Sequence, residues 1–362
     1  MTTLGAVLAA EIAAHGPLSI ARYMAAALGH PRHGYYMSGD PFGREGDFIT
    51  APEVSQLFGE LIGLWCVVGW RQIGQPSPVQ LVELGPGRGT LMADALRAIA
   101  VAPDCRAALD IHMVEISPSL RDAQRATLDG VAVAWHDQLA SAPEASLLLV
   151  ANELFDALPI HQFVRTVGGW RERLVDVDQA SGGFRFVLAT GPTPALALVP
   201  DDIEAPPGAV VEVSPACVSL AHEIARRVVS FGGLALIVDY ASEQGPLGDT
   251  LQAVRRHGRH GVLDDPGSAD LSARVDFPTL MRVAREAGAG AFGPVNQGDF
   301  LLALGIEARA EALAKNATAA QRDDIAAAVH RLVDPGAMGA LFKVIAIGPA
   351  DAPAPAGFET VA

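Results

Sequence analysis

Short apolar runs rich in β-branched residues alternate with amphipathic segments through the middle of the chain. The runs predict strands over residues 79–84, 111–115, 131–135, 147–151 and 234–240. Runs of this kind are typical of strands that are buried on both faces of a parallel sheet. The alternation therefore predicts an α/β fold with a doubly wound sheet.

Other segments depart from this pattern. They are predicted as a helical N-terminal cap (1–75), an α/β domain (76–348) that carries a β insertion (160–213) and a helical insertion (298–333), a polar glycine-rich loop (241–276) and a disordered tail (349–362). In the cap, Thr50 and Glu53 have the spacing of a capping box, so a helix is expected to begin there.

Composition narrows the classes of function. The chain has 362 residues and a net charge of −15, which argues against a nucleic-acid partner. The same charge is compatible with a basic protein partner or with solubility alone. Three widely spaced cysteines favour neither a zinc site nor a disulfide framework, and no metal is expected. The longest apolar run, residues 61–70, is too short to cross a membrane, and no secretory signal is evident. A bacterial cytoplasmic protein is expected.

A glycine-rich turn follows the first predicted strand. Glu83 precedes the segment Gly85, Pro86, Gly87, Arg88, Gly89 and Thr90, which opens a helix. Glycines there let the backbone approach a ligand, and a helix N-terminus offers free N–H groups. A nicotinamide site would prefer G-x-G-x-x-G, whereas this spacing matches the first motif of S-adenosylmethionine methyltransferases. A nicotinamide or flavin site and a turn without ligand remain alternatives.

Acidic residues follow the next strands. Glu115, with Ile116 beside it, ends the second strand, where an acid is placed to accept the ribose hydroxyls of an adenosine cofactor. Asp137 follows the third strand and could accept the adenine amino group or could be a helix N-cap. Both positions are therefore expected on the cofactor side.

The fourth predicted strand ends in Asn152 and Glu153, and Asp156 follows closely. Ligands of open α/β sheets bind outside the carboxyl ends of the strands, so this segment is expected to face the transferred methyl group. A carboxylate such as Glu153 could clamp a guanidinium with two hydrogen bonds. Asp239 and Tyr240 end a later strand at the same rim. A loop that only caps the next element is the alternative.

The chain resembles the methyltransferases related to a mitochondrial complex I assembly factor, the mitochondrial dysfunction protein A family. The matching segments are 34–36, 46–60, 83–91, 152–159, 239–240, 270–277, 297–300 and 338–343. The resemblance implies a seven-stranded methyltransferase fold, S-adenosyl-L-methionine as methyl donor and protein arginine as acceptor. In eukaryotic members, which are mitochondrial, the resemblance implies a core subunit of complex I as target. Arg274 and Ala241 differ from the family pattern, which has His and Gly there.

The resulting hypothesis is a protein arginine methyltransferase whose protein substrate is a complex I subunit or another protein. On the acceptor side or in the cap we expect Tyr36, Asp47, Thr50, Gln56, Asp239 and Tyr240. Two alternatives stay open: a methyltransferase for a small molecule or an oxygen nucleophile, and a non-catalytic assembly chaperone that keeps the fold. The sequence gives no oligomeric state.

Overall fold

A computed structural model describes residues 2–37, 50–243 and 245–359 of the chain. Contacts divide it into two compact units. The first comprises residues 1–48, 155–219 and 244–276, and the second comprises residues 49–154, 220–243 and 277–362. The sequence analysis placed a boundary near residue 75, whereas the described residues from 50 onward already belong to the second unit. The difference arises because the long helix that follows packs within the α/β unit.

Helices are present in both units. In chain order they are α1 (Thr3–His15), α2 (Ile20–Gly29), α3 (Ala51–Val54), α4 (Gln56–Gln72), α5 (Thr90–Ile99), α6 (Pro103–Ala108), α7 (Pro118–Thr127), α8 (Pro215–Phe231), α9 (Phe277–Glu286), α10 (Gln297–Ala303), α11 (Ile306–Ala314), α12 (Ala319–Val333) and α13 (Met338–Leu341).

Strands complete the secondary structure. They are β1 (Leu18–Ser19), β2 (Val79–Leu84), β3 (Leu109–Val114), β4 (Ala134–His136), β5 (Leu147–Asn152), β6 (His161–Thr166), β7 (Gly169–Val177), β8 (Phe184–Leu188), β9 (Val210–Val213), β10 (Gly233–Ser242), β11 (Gln252–Arg255), β12 (Gly258–His260), β13 (Asp270–Ser272), β14 (Val275–Asp276), β15 (Ala289–Asn296) and β16 (Phe342–Pro349).

The second unit is built on a mainly parallel sheet. Its strands run in the order β15, β16, β10, β5, β2, β3, β4. The neighbours from β10 to β4 are parallel, and β16 is antiparallel to both β10 and β15. The predicted doubly wound α/β fold is confirmed. The chain order reverses between β2 and β5, so a ligand crevice is expected where these two strands end.

Helix α4 packs closely on α5 because two glycines face it. A Cβ atom at Gly59 would lie 2.6 Å from the Asp94 Cβ, and one at Gly63 would lie 2.4 Å from the Ala95 carbonyl oxygen. Neither distance is possible for a real side chain, so the contact requires glycine at both positions. The packing buries Phe58, among other apolar side chains of α4, in the core of this unit.

The C-terminal segment contacts the same core. The Trp65 indole donates a hydrogen bond to the Ala356 carbonyl at 3.1 Å, and the rings of Phe300 and Phe358 lie 5.5 Å apart. The prediction of a disordered tail is therefore wrong as far as residue 359. Its proline- and alanine-rich composition hides one aromatic anchor, Phe358, which is buried.

The first unit contains two antiparallel sheets. One has the order β1, β7, β6, β9, with β8 paired to β7, and its strands β6 to β9 lie within residues 160–213. The other has the order β12, β11, β13. The prediction of a polar glycine-rich loop over residues 241–276 is wrong where these three strands lie, because strands of three or four residues carry too little periodicity to be recognised. Helices α1 and α2 bury Leu4, Leu8 and Tyr23 in the core of this unit.

Among the described residues, no helix is long and apolar enough to cross a membrane. The part of the chain that the structure describes also contains no cluster of His, Cys, Asp and Glu suited to a metal ion.

Candidate functional site

The loop between β2 and α5 has a conformation that depends on its glycines. Gly85, Gly87 and Gly89 have φ angles of 61°, 52° and 82°. These angles lie in the left-handed region that residues with a Cβ rarely adopt. A Cβ atom at Gly85 would also lie 2.9 Å from Cδ1 of Leu154, in the loop after β5. The turn therefore brings the ends of β2 and β5 together.

Two contacts hold this loop in place. The Gly89 N–H donates to the Pro86 carbonyl at 2.8 Å, and the Gln124 side-chain amide donates to the Gly87 carbonyl at 2.7 Å. Gln124 in turn accepts a hydrogen bond from the Trp135 indole at 2.8 Å. The sequence analysis missed Gln124. It could have been recognised as a polar residue on the buried face of the amphipathic helix α7.

Glu83 is buried on β2, one residue before the strand ends. The backbone N–H of Met92, in the first turn of α5, favours the charged form of this carboxyl group, but Oε2 has no hydrogen-bond partner among the described residues. Burial raises the pKa of Glu83 from 4.5 to about 8. A carboxyl group with an unused buried acceptor oxygen is suited to a cationic ligand group.

Glu115 lies at the end of β3 and is also buried. Its Oε1 accepts the Ser117 N–H at 2.8 Å, and the Gln124 side-chain amide lies 3.4 Å from Oε2. Burial raises the pKa of Glu115, although these hydrogen bonds oppose the shift. Ile116, the next residue, exposes 55% of its surface and is an apolar contact at the rim.

Asp137 lies on the surface. The Arg121 guanidinium donates to its Oδ1 at 2.6 Å and also to the Glu115 carbonyl oxygen. The side chain of Asp137 is 82% exposed. One carboxylate oxygen is therefore already paired, and the expected contact with an adenine amino group gains no support from this geometry.

Glu153 follows β5 in an unusual backbone conformation. Its φ is 52°, in the left-handed region, although it has a side chain. Its N–H donates to the Val238 carbonyl at 2.9 Å. Its Oε1 accepts the Ala51 N–H at 2.9 Å and the Asn152 side-chain amide at 3.2 Å. Strained non-glycine residues of this kind concentrate at functional sites.

Asn152 and Glu83 point to the same face of the sheet. Glu83 is paired with Val150, and Asn152 lies two residues beyond Val150 on β5. Because side chains alternate along a strand, both side chains project from one face. The Asn152 Oδ1 is buried and has no hydrogen-bond partner among the described residues.

Asp239 on β10 supports the loop after β5. It is fully buried, and its Oδ2 accepts the Leu154 N–H at 3.2 Å while its Oδ1 accepts the Tyr240 N–H at 2.8 Å. The Tyr240 ring lies 6.5 Å from that of Phe342. The sequence analysis expected Asp239 and Tyr240 at this rim, and Asp239 contacts the backbone next to Glu153.

The segment before α4 differs from the predicted capping box. Thr50 is the N-cap of α3 but makes no capping hydrogen bond with its side chain. Glu53 instead accepts a hydrogen bond from the Thr90 hydroxyl at 2.7 Å, so a tertiary contact takes its side chain away from the helix start. A new helix begins after Ser55, where the Gln56 side-chain amide lies 3.4 Å from Glu60. Asp47 lies outside the described residues.

Two expected site residues, Tyr36 and Asp156, belong to the first unit. The Tyr36 hydroxyl donates to Asp270 Oδ1 at 2.8 Å. Burial, with the charges of Asp270 and Asp156, raises the pKa of Tyr36 well above 10. The Asp156 carbonyl accepts the Ala273 N–H at 3.0 Å, which ties the segment after β5 to the end of β13.

The site in the second unit fits S-adenosyl-L-methionine in two respects. Glu83 has a buried acceptor oxygen that lacks a partner among the described residues, and buried Glu115 supplies further carboxylate oxygens at the end of β3. The loop backbone carries no side chain at Gly85, Gly87 and Gly89, which lets a ligand approach it closely. An adenosine cofactor with a cationic amino acid end matches this set of acceptors.

A mainly parallel sheet with an antiparallel strand β16, and a glycine turn at the switch point, define a class I S-adenosylmethionine-dependent methyltransferase. The chain belongs to the family described as "Putative S-adenosyl-L-methionine-dependent methyltransferase", whose sequence profile matches residues 61–295. Family, fold and donor agree with the expectations from the sequence.

Relatives are similar over nearly the whole chain. The protein arginine methyltransferase NDUFAF7 homolog of Drosophila melanogaster, named mitochondrial, is 40% identical over 377 residues, covering 96% of this chain and 85% of that protein. The mitochondrial protein arginine methyltransferase NDUFAF7 of Homo sapiens is 37% identical over 367 residues, covering 94% and 82%.

Two solved structures have the same fold as this chain. A protein of Burkholderia thailandensis bound to S-adenosyl-homocysteine is similar with a TM-score of 0.87 and 32% identity, covering 99% of this chain and 94% of that one. A native structure from the same organism gives a TM-score of 0.84 with the same identity and coverage. The chain is therefore an S-adenosylmethionine-dependent methyltransferase.

Proposed function

We propose that this methyltransferase modifies arginine side chains of a protein substrate. The observation that carries the proposal is Glu153, a carboxylate held in a strained left-handed conformation at the end of the central strand β5. The names of the relatives support arginine as the acceptor residue. The finer proposal is a bacterial cytoplasmic enzyme whose substrate is a respiratory complex I subunit or another protein undergoing assembly.

The donor would be held by residues of the second unit. The backbone of Gly85–Gly89 would pack against its amino acid half, and Glu83 would bind its ammonium group. Glu115 would accept its ribose hydroxyls, and Ile116 would cover one face of its base. When bound, the donor supplies a methyl group on a positively charged sulfur.

The acceptor would be oriented by Asn152 and Glu153. A guanidinium is planar and charged at physiological pH, so a carboxylate can hold two of its N–H groups and direct the remaining nitrogen. The Asn152 Oδ1, buried without a described partner, would accept a further N–H. Asp239 would be a positioning residue, because it binds the Leu154 N–H beside Glu153.

Further residues are proposed on the acceptor side or in the cap. Asp156 and Tyr36 of the first unit would contact the acceptor, as the resemblance implies. Tyr240, Thr50 and Gln56 would belong to the acceptor side or to the cap.

The test is methyl transfer from radiolabelled S-adenosyl-L-methionine to a protein extract of a host strain that lacks this protein. We expect labelled arginine in a small set of proteins, identified by mass spectrometry. Glu153→Gln keeps the shape of the side chain and removes its charge, and it should lower transfer on the order of 100-fold. Its affinity for S-adenosyl-homocysteine should stay near that of the wild type. The matched control is Glu307→Gln, at an exposed position of α11.

Three outcomes would contradict parts of the proposal. Normal transfer by Glu153→Gln would remove Glu153 from the acceptor clamp. Label found only on a small molecule or on oxygen would favour the alternative acceptors. Donor binding without transfer to any component of the extract would favour an assembly chaperone.

A further inference from the structure

The first unit contains a cavity that the proposed chemistry does not use. Its volume is about 420 Å³, and it is lined by Gln162, Arg173, Phe186, Asp249, Leu251 and Val262. All of these residues belong to the first unit, whereas the glycine loop, Glu83, Glu115 and Glu153 belong to the second.

The polar side of the cavity is a row of hydrogen-bonded side chains across one sheet. Gln162 is paired with Glu212 on β9 and with Arg173 on β7. The Gln162 amide donates to Glu212 at 2.7 Å, and the Arg173 guanidinium donates to the Gln162 amide oxygen at 3.0 Å. Buried Glu212 also accepts the N–H of Thr250 at 2.9 Å. The row therefore fixes the segment that carries Asp249.

The more exposed group of the ion pair at the cavity is a carboxylate. Arg173 and Gln162 both donate to Asp249 Oδ1, at 2.8 and 3.2 Å. Oδ2 accepts no hydrogen bond from the described residues. The Asp249 side chain is 52% exposed, whereas that of Arg173 is only 17% exposed. A ligand entering the cavity therefore meets a carboxylate oxygen more readily than a guanidinium.

The opposite side of the cavity is apolar. Phe186 on β8 is 41% exposed, and Leu251 and Val262 line the cavity with it. The Arg173 guanidinium lies 5.4 Å from the Phe186 ring centroid, so the ring already makes a cation–π contact. An exposed aromatic ring beside a carboxylate suits a side chain with an aliphatic stem and a cationic end.

Strand β8 offers an edge for an extended peptide. It pairs with β7, and within the described ranges it has no strand on its other side. A peptide that lies along an exposed strand edge gains main-chain hydrogen bonds and places alternate side chains on one face. Phe186 projects from β8 toward the cavity, so a peptide at this edge could place one side chain there.

We propose that this cavity is a docking site for an arginine or lysine side chain in an extended segment of the protein substrate, outside the residue that is methylated. The net charge of −15 favours a basic partner. Within the cavity, Asp249 and Phe186 favour a cationic side chain with an aliphatic stem. That the partner is the methylation substrate rests on the proposed function. The docking of a basic segment does not.

The test uses the full chain and two peptides that carry fluorescein on the N-terminus, Val-Thr-Arg-Thr-Val-amide and its twin with citrulline in place of arginine. Citrulline keeps the shape and removes the charge. By fluorescence anisotropy we expect the arginine peptide to bind at least 10-fold more tightly. Asp249→Asn should reduce that preference to within twofold, and Asp202→Asn, at an exposed position of the same unit, should leave it intact. Phe186→Ala should weaken both peptides.

Melting curves establish whether each variant is folded. If Asp249→Asn does not fold, Phe186→Ala tests the site instead, because it should weaken the binding of both peptides. Equal binding of the two peptides, or an unchanged preference in Asp249→Asn, would overturn the proposal. A preference that disappears in Glu153→Gln and persists in Asp249→Asn would place the peptide at the acceptor residues instead, which also overturns it.

Methyl transfer separates the two proposals. With a substrate found in the extract, Asp249→Asn should raise KM at least 5-fold and leave kcat and donor affinity unchanged. An unchanged KM would overturn docking by the substrate while the arginine methyltransferase stands. Asp249-dependent peptide binding without any arginine methylation would keep the docking site and refute the proposed function.

Discussion

Glu83 gives a prediction that links the stability of the protein to its ligand. Its pKa in the folded chain is about 8, because burial disfavours the carboxylate. The folded state therefore binds more protons than the unfolded state between pH 4.5 and 8, and the contribution of Glu83 to stability falls as pH rises through this window. At pH 7 the penalty amounts to about 3 kcal/mol. Glu83→Gln, which cannot ionise, should remove it and raise the melting temperature.

The ammonium group of the donor should reverse this balance. A cation beside Glu83 favours its charged form, so binding should expel the proton that the free protein holds at pH 7. The affinity should then rise nearly 10-fold from pH 6 to pH 7, the limit for release of about one proton. The assay is isothermal titration calorimetry with S-adenosyl-homocysteine in phosphate and in Tris, because the difference in binding enthalpy counts the protons released.

Glu83→Gln should lose both the proton release and the pH dependence, and it should bind more weakly while being more stable. Glu307→Gln should behave as the wild type in every measurement. The reasoning is refuted if the wild type releases no proton and binds equally at pH 6 and 7. It is also refuted if Glu83→Gln melts at a lower temperature than the wild type at pH 7.

Three further changes test the site and its supports. Glu115→Ala should weaken the binding of S-adenosyl-homocysteine roughly 10- to 100-fold, because hydrogen bonds to a charged group are lost, and an unchanged Kd by calorimetry would remove Glu115 from the ribose role. Gly63→Ala should lower the free energy of unfolding, measured in urea, by about 1–3 kcal/mol, because the new Cβ would lie 2.4 Å from the Ala95 carbonyl oxygen. The control Gly191→Ala, whose Cβ would have no atom within 4 Å, should leave the free energy of unfolding unchanged. Phe358→Ala should cost about 3 kcal/mol in the same experiment, and a smaller loss than 1 kcal/mol would show that the tail contributes little.

The parts of the fold that could be predicted are those with a strong local pattern. Strand β2 has the bounds expected from the sequence, and helix α5 begins at Thr90 as expected, since an apolar β-branched run ends in a glycine turn and an amphipathic helix follows. Strand β4 was expected over residues 131–135 but spans Ala134–His136. It lies at the edge of the sheet, where partial exposure weakens the apolar pattern.

The contacts of the site could not be predicted because their partners are distant in sequence. Glu53 fits a capping box locally, but its carboxylate binds Thr90 from another helix. Asp137 fits an adenine contact by position, yet Arg121 reaches it from helix α7. The left-handed backbone conformation of Glu153 could not be predicted either, because no neighbouring residue in the sequence requires a positive φ there. Spacing therefore predicts which strand ends carry carboxylates, and tertiary contacts decide where each carboxylate points.

Three of these carboxylates share one structural principle. Glu83, Glu115 and Glu153 stand at or near the ends of the adjacent strands β2, β3 and β5. Glu115 and Glu153 each accept a backbone N–H at the start of a helix, from Ser117 and Ala51 respectively, and the backbone N–H of Met92 in the first turn of α5 favours the charged form of Glu83. The positive end of a helix favours negative charge, so the fold holds these groups in position before any ligand binds. Burial opposes ionisation of Glu83, whose buried Oε2 has no hydrogen-bond partner among the described residues. A cationic ligand group would supply that partner, and for this reason the charge of Glu83 should depend on the ligand.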